Sequence, residues 1–137
     1  MIDEELEKAY KNALYRIFNP DISWQIGELS PTLDRLLQEH HAQSASFITA
    51  YNPQSIILST AENQKRQGKL LAEIKAQDWQ YLEGQGEDPS GNWPAEASFL
   101  VFGHSRTAAQ ELGRQFGQNA VVFLTLGEAA CLLPCFD

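Results

Sequence analysis

Ser46-Phe47-Ile48-Thr49-Ala50-Tyr51-Asn52-Pro53 opens as a β-branched and aromatic strand and breaks at Asn52-Pro53. After a short loop the chain reaches Ser59-Thr60-Ala61-Glu62-Asn63-Gln64-Lys65-Arg66, where Ser59 and Glu62 have the spacing of a capping box. The reading is a strand, a loop and a helix over about 60–76, whose first two turns are polar and whose later half carries Leu70, Leu71 and Ile74. A buried strand that delivers polar side chains to the start of a helix is a common way to build a site.

Working outward from this stretch, Trp79 to Gly84 reads as a strand. Gly84 to Asn92 carries turn residues throughout and reads as a loop. Ser98 to Gly103 is apolar on both faces, as a central strand would be. Ser105 to Phe116 is a helix with Ala108, Ala109, Leu112 and Phe116 on its core face and Gly117 as its stop. Ala120 to Leu126 and Ala129 to Leu133 follow as strands. Upstream, residues 3–17 fit a helix with Leu6, Tyr10, Ala13, Leu14 and Ile17 on one face. Ile22, Trp24 and Ile26 alternate in a short strand, and Ser30-Pro31 starts a helix over 31–41. The strands at 22–28 and 46–51 are expected to run parallel if one sheet holds both.

From residue 46 the succession β-α-β-β-α-β is that of a split βαβ unit. The predicted fold is a single α+β domain over 1–137 with a ferredoxin-like core, an extra N-terminal helix and a βα unit. Because the strands near 100 and 122 are apolar on both faces, a second layer must cover the sheet. The candidates are the N-terminal helix, the helix at 31–41, or a partner subunit.

The formal net charge of −8 argues against a general nucleic-acid or anionic-membrane role. Within it, Lys65, Arg66, Lys69 and Lys75 gather four of the ten basic residues on one helix. The start Met1-Ile2-Asp3-Glu4-Glu5 is acidic rather than basic and apolar, so no signal peptide is expected. Cys131 and Cys135 form no disulfide framework, and a cytoplasmic setting with reduced thiols is expected. The chain has no P-loop, GxGxxG, GxSxG or HExxH, and no cofactor is expected.

Five ordered segments carry a resemblance: Thr49-Ala50-Tyr51-Asn52-Pro53; Glu62-Asn63 with Arg66; Gly84-Gln85-Gly86 with Trp93; Glu96-Ala97-Ser98-Phe99-Leu100; and Phe116-Gly117-Gln118-Asn119-Ala120. Over roughly residues 10 to 133 the chain resembles the uncharacterised bacterial domain-of-unknown-function family numbered 3293. The resemblance implies a small bacterial protein and brings no activity with it.

Candidate ligand-binding residues are Thr49, Asn52, Asn63, Arg66, Gln118 and Asn119, near the N-terminus of the helix at 60. Arg66 offers a fork of donors suited to carboxylate or phosphate. The bland alternative is that these amides satisfy loop backbone. Three functions remain open. The first is a non-catalytic binding or regulatory domain for a small anionic ligand or a protein partner, as a monomer or homodimer. The second is a divalent-metal-assisted hydrolase or transferase, with Glu83, Asp88 and Glu96 as ligands. The third is an acidic immunity or inhibitor protein. His40, His41 and His104 have no evident carboxylate or thiolate partner, and a structural role is expected for each.

Overall fold

In the computed structural model, which describes residues 2–136, one curled, half-barrel-like antiparallel sheet of seven strands carries the fold. The elements are α1 (Glu4–Asn12), β1 (Leu14–Phe18), β2 (Asp21–Trp24), α2 (Pro31–Glu39), β3 (Ser44–Ile48), a 3₁₀ turn (Pro53–Ser55), α3 (Thr60–Ala76), β4 (Tyr81–Glu87), β5 (Glu96–Phe102), α4 (Arg106–Gln115), β6 (Ala120–Thr125) and β7 (Cys131–Pro134). The sheet order is β2-β1-β4-β5-β3-β6-β7.

The α+β class holds, but the ferredoxin-like core does not: the sheet is a long curled one rather than that of a small two-layer sandwich. Residues 14–18 supply one reason. They are a strand and not the end of a helix, with Tyr15 and Ile17 buried in alternation. Ala13 leaves the helix with extended backbone. Leu14 and Ile17 are three apart, which suits a helix face, but Tyr15, Ile17 and Phe18 are aromatic or β-branched and favour a strand. β1 pairs with β2 as a hairpin and with β4 on its other side, in the register Ile17–Gly84. Gly84 permits that pairing, because a Cβ there would lie 2.1 Å from the Arg16 carbonyl oxygen. The expected loop from Gly84 is therefore strand as far as Glu87. The expected βα unit is a ββα unit, and β2 and β3 run parallel within the sheet, with β1, β4 and β5 between them.

Both sheet faces are covered. On one, Leu70 and Ile74 of α3 and Ala109, Leu112 and Phe116 pack against Ile48, Phe99, Val101, Val121 and Phe123. On the other, Leu33, Leu36 and Leu37 of α2 meet Phe47, Leu100, Phe102, Val122 and Leu124, with Tyr15, Ile17 and Trp24 closing the curl. Of the three candidates for the second layer, α2 is therefore the one that fills it. Side chains of β5 and β6 alternate between the two cores, which accounts for their continuous apolar runs. By contrast, α1 buries none of its residues; its first turn is capped by Asp3, and the Tyr15 hydroxyl donates to the Tyr10 carbonyl at 2.6 Å.

Candidate functional site

The chain leaves β3 into a stretch of left-handed backbone. Asn52, Gln54 and Ser55 all have positive φ, at 46°, 51° and 62°. Left-handed backbone at non-glycine residues costs on the order of 1 kcal/mol or more each and persists only where surrounding bonds over-determine it.

Those bonds are supplied by the residues marked out in the sequence. Asn52 and Asn63 are both buried and bond reciprocally. The Asn52 backbone N–H donates to Asn63 Oδ1 at 2.9 Å, and Asn63 Nδ2 donates to Asn52 Oδ1 at 2.9 Å. Asn52 Oδ1 also accepts from the Leu58 N–H, closing the far end of the loop. Asn52 Nδ2 donates to Glu96 Oε2 at 2.7 Å, and Trp93 Nε1 donates to the same oxygen at 3.0 Å. Burial raises the pKa of the Glu96 carboxyl, and the bonds from Trp93 and Asn52 pull it back.

The other candidates join the same assembly. Thr49 Oγ1 donates to the Ala97 carbonyl at 2.7 Å and accepts from the Tyr51 N–H. Arg66 Nε donates to the Ala50 carbonyl at 2.8 Å, and its Nη2 donates to the Phe116 carbonyl at the end of α4. Gln118 Nε2 donates to the Tyr51 carbonyl at 3.0 Å, and Asn119 Nδ2 to Ser55 Oγ at 3.2 Å. The Gln54 N–H reaches the Gly117 carbonyl at 2.7 Å. Gly117 has φ +70°, and a Cβ on it would press to 2.8 Å from Pro53 Cβ.

Thus Thr49, Asn52, Asn63, Arg66, Gln118 and Asn119 do converge, at one end of the sheet. Most of their hydrogen-bonding capacity goes to backbone and to one another rather than to a vacant pocket. Among the described residues Arg66 Nη1 has no hydrogen bond, and a cleft of about 430 Å3 is lined by Arg66, Lys69, Glu73, Gln115 and Phe116.

Sequence reasoning overlooked three further residues. Gln67, one turn after Asn63, accepts the Ala50 N–H on its Oε1 at 2.9 Å. Ile56 and Ile57, on the loop the cluster holds, are 61% and 65% exposed. An isoleucine pair in sequence reads as core by default, so the signal was its place between Pro53 and the polar cap Ser59.

The carboxylates proposed as metal ligands do not assemble. Glu83 is opposite Phe99 in the β4–β5 register, whereas Glu96 is three residues earlier on β5, so their side chains leave opposite faces. Asp88 instead accepts from the Ser90 N–H and hydroxyl in a turn. Among the described residues no three His, Cys, Asp or Glu side chains are placed to share an ion.

His40 and His104 sit in packing roles, whereas His41 is exposed at a positive φ of 54°. His40 stacks on Phe102 with ring centroids 4.1 Å apart and pairs through Nδ1 with the Leu36 carbonyl. His104 is buried against Trp79, with Nε2 2.5 Å from Ser46 Oγ, a partner fifty-eight residues away that spacing did not reveal. A serine beside a histidine suggests a nucleophile, but Ser46 is wholly inaccessible and His104 is 5% exposed. Cys131 and Cys135 are free thiols, and burial pushes the Cys135 thiol up to about 11.

Among the described residues no helix is long and apolar enough to cross a membrane. No curated protein and no solved structure matches the chain. The profile of one family does match, over residues 48–121, from the end of β3 to the start of β6. That span takes in every residue of the hydrogen-bonded cluster around Asn52 and covers more than half of the sequence. The chain belongs to the family described as Protein of unknown function (DUF3293).

Proposed function

We propose that this chain is a non-catalytic protein-binding domain and that its recognition element is the loop between Pro53 and Leu58. The observation that carries the reading is a contrast within six residues. Asn52, Gln54 and Ser55 hold unfavourable backbone under a dense set of hydrogen bonds, while Ile56 and Ile57 stand in solvent. A loop held this firmly loses little conformational freedom when a partner binds, which lowers the entropic cost of association. Exposed apolar side chains on such a loop suit the anchors that dominate interface energies. A pocket for a small anionic ligand among Asn52, Asn63 and Gln118 is less favoured, since those amides are engaged with the protein itself.

The test is site-specific photocrosslinking in the native cell, with a benzophenone amino acid at position 57 and, as a control, at Ser90 in the exposed turn. The expected result is a discrete protein adduct from position 57 that is absent from position 90 and lost when Ile56→Ser is added. Indistinguishable adduct patterns from the two positions would refute the reading.

A further inference from the structure

The loop borders a surface whose charge is opposite to that of the protein. Helix α3 carries Lys65, Arg66, Lys69 and Lys75 against Glu62 and Glu73, in a chain of net charge −8. The ion pairs among the described residues are Lys11–Glu7, Arg16–Asp21 and Arg16–Glu87, so no cation of α3 has a described carboxylate within pairing distance. Arg66 is bonded to backbone carbonyls, but Lys65, Lys69 and Lys75 have neither an ion pair nor a side-chain hydrogen bond among the described residues, so intramolecular bonding does not account for them.

Two of these cations line the cleft described above. Arg66 is fixed in place by its bonds to Ala50 and Phe116, and Lys69 is exposed. The cleft adjoins the loop directly: a Cβ on Gly117 would touch both Pro53 and Arg66, at 2.8 and 3.6 Å. The oriented guanidinium of Arg66 therefore lies close to Pro53, where the loop bearing the two exposed isoleucines begins, and the exposed Lys69 lines the same cleft.

We infer that this surface docks an acidic segment of a partner protein, whose carboxylates seat on Arg66 and Lys69 while an apolar residue packs on Ile56 and Ile57. The inference rests on the protein-binding reading given above and specifies the chemistry of the partner. With Nε and Nη2 engaged on backbone carbonyls, Arg66 offers a carboxylate its Nη1, a charged donor that forms a strong hydrogen bond with an ionised oxygen. A long polyanion such as a nucleic acid would meet the repulsion of the remaining acidic surface, whereas a short segment engages the cationic helix alone. Glu73 at the rim of the cleft opposes any carboxylate placed beside it, so the seat lies at the Arg66–Lys69 end.

The test is selection of a library of random short peptides displayed on phage against the whole protein. Recovered peptides are then titrated by fluorescence anisotropy against wild type, Lys69→Glu, Lys69→Arg and Ile57→Ser. Both positions are exposed, and circular dichroism checks that the variants remain folded. The expected result is enrichment of peptides combining carboxylates with an apolar residue, with affinity that weakens as salt is raised. Affinity should fall about tenfold in Lys69→Glu and in Ile57→Ser and be kept in Lys69→Arg.

Neutral or basic peptides, no enrichment, or affinity indifferent to Lys69→Glu would overturn the inference. Equal or tighter binding of oligothymidylate, dependent on Lys69, would overturn it in favour of nucleic acid. A crosslink at position 57 without acidic peptides would remove the acidic partner and leave the protein-binding reading standing. Failure of both experiments would remove both.

Discussion

Replacing Asn63 with alanine separates a hydrogen-bonded clasp from a ligand-reading side chain. Asn63 is 4% exposed and serves Asn52 twice, accepting its N–H and donating to its Oδ1, both at 2.9 Å. The longer contact from Nδ2 to the Leu58 carbonyl, at 3.4 Å, adds little. Truncation removes two good bonds worth about 1 kcal/mol each in net terms. It also leaves the Asn52 N–H buried without a partner, since Asn52 Oδ1 keeps the Leu58 N–H but the backbone donor has no second acceptor. An orphaned buried donor adds roughly 1–2 kcal/mol. Alanine returns about 0.6 kcal/mol through its better helix propensity. The expected net loss is about 3 kcal/mol, which for a domain of this size lowers the melting temperature by roughly 10 °C. The loss should appear in urea titrations as a lower midpoint with an unchanged slope. Hydrogen exchange should quicken first at Asn52 and Leu58, the two amides the clasp protects. A variant as stable as wild type, to within about 0.5 kcal/mol, would show that the clasp contributes nothing, and the account of the strained loop would fall with it.

Three further outcomes follow from the fold. Burial pulls the His104 imidazole from an ordinary 6.5 down to about 4. The unfolded chain therefore takes up a proton on acidification before the folded one does, and stability is lost as pH falls from 6.5 towards 4, by about 3 kcal/mol in all; urea midpoints for wild type and His104→Gln should converge across that window, and parallel curves would exclude His104 as the source. Gly84→Ala should unfold the protein or cost several kcal/mol, because its Cβ would collide with the Arg16 backbone, whereas Gly86→Ala, with nothing within 4 Å of its Cβ, should stay within about 1 kcal/mol of wild type by thermal melting. Ile56→Ser with Ile57→Ser should leave the melting temperature unchanged or slightly raised, since both side chains are exposed in the folded state; a loss above about 1 kcal/mol would mean that they pack on the protein.

What the sequence made legible divides along a physical line. Residues 31–39, 60–76 and 106–115 carry local signals sufficient in themselves: a serine cap before each helix and apolar spacing along it, with Gly117 as a stop after the last. Residues 14–18 carry no such signal, because Leu14 and Ile17 satisfy a helical period as well as a strand. The decision is made by β4, sixty-seven residues away at Gly84, whose missing side chain lets β1 approach. The extent of the sheet was out of reach for the same reason, since it depends on pairings between segments that each read correctly or ambiguously alone. The candidate site shows the converse. Composition and position were enough to single out Asn52, Asn63, Arg66, Gln118 and Asn119, because polar side chains beside a strand end and a helix start must bond to something. What they bond to is set by the left-handed turn at Asn52, which folds the chain back so that residues eleven apart face each other. Glu96 shows how far that matters. Read along the chain it belongs with Glu83 and Asp88 as a possible metal ligand; in the fold it accepts from Trp93, three residues before it, and from Asn52, which the chain delivers from the end of β3. An acidic residue's role here follows from which donors the fold brings to it, and that information lies in the pairing of β3 with β5, not in the spacing of carboxylates.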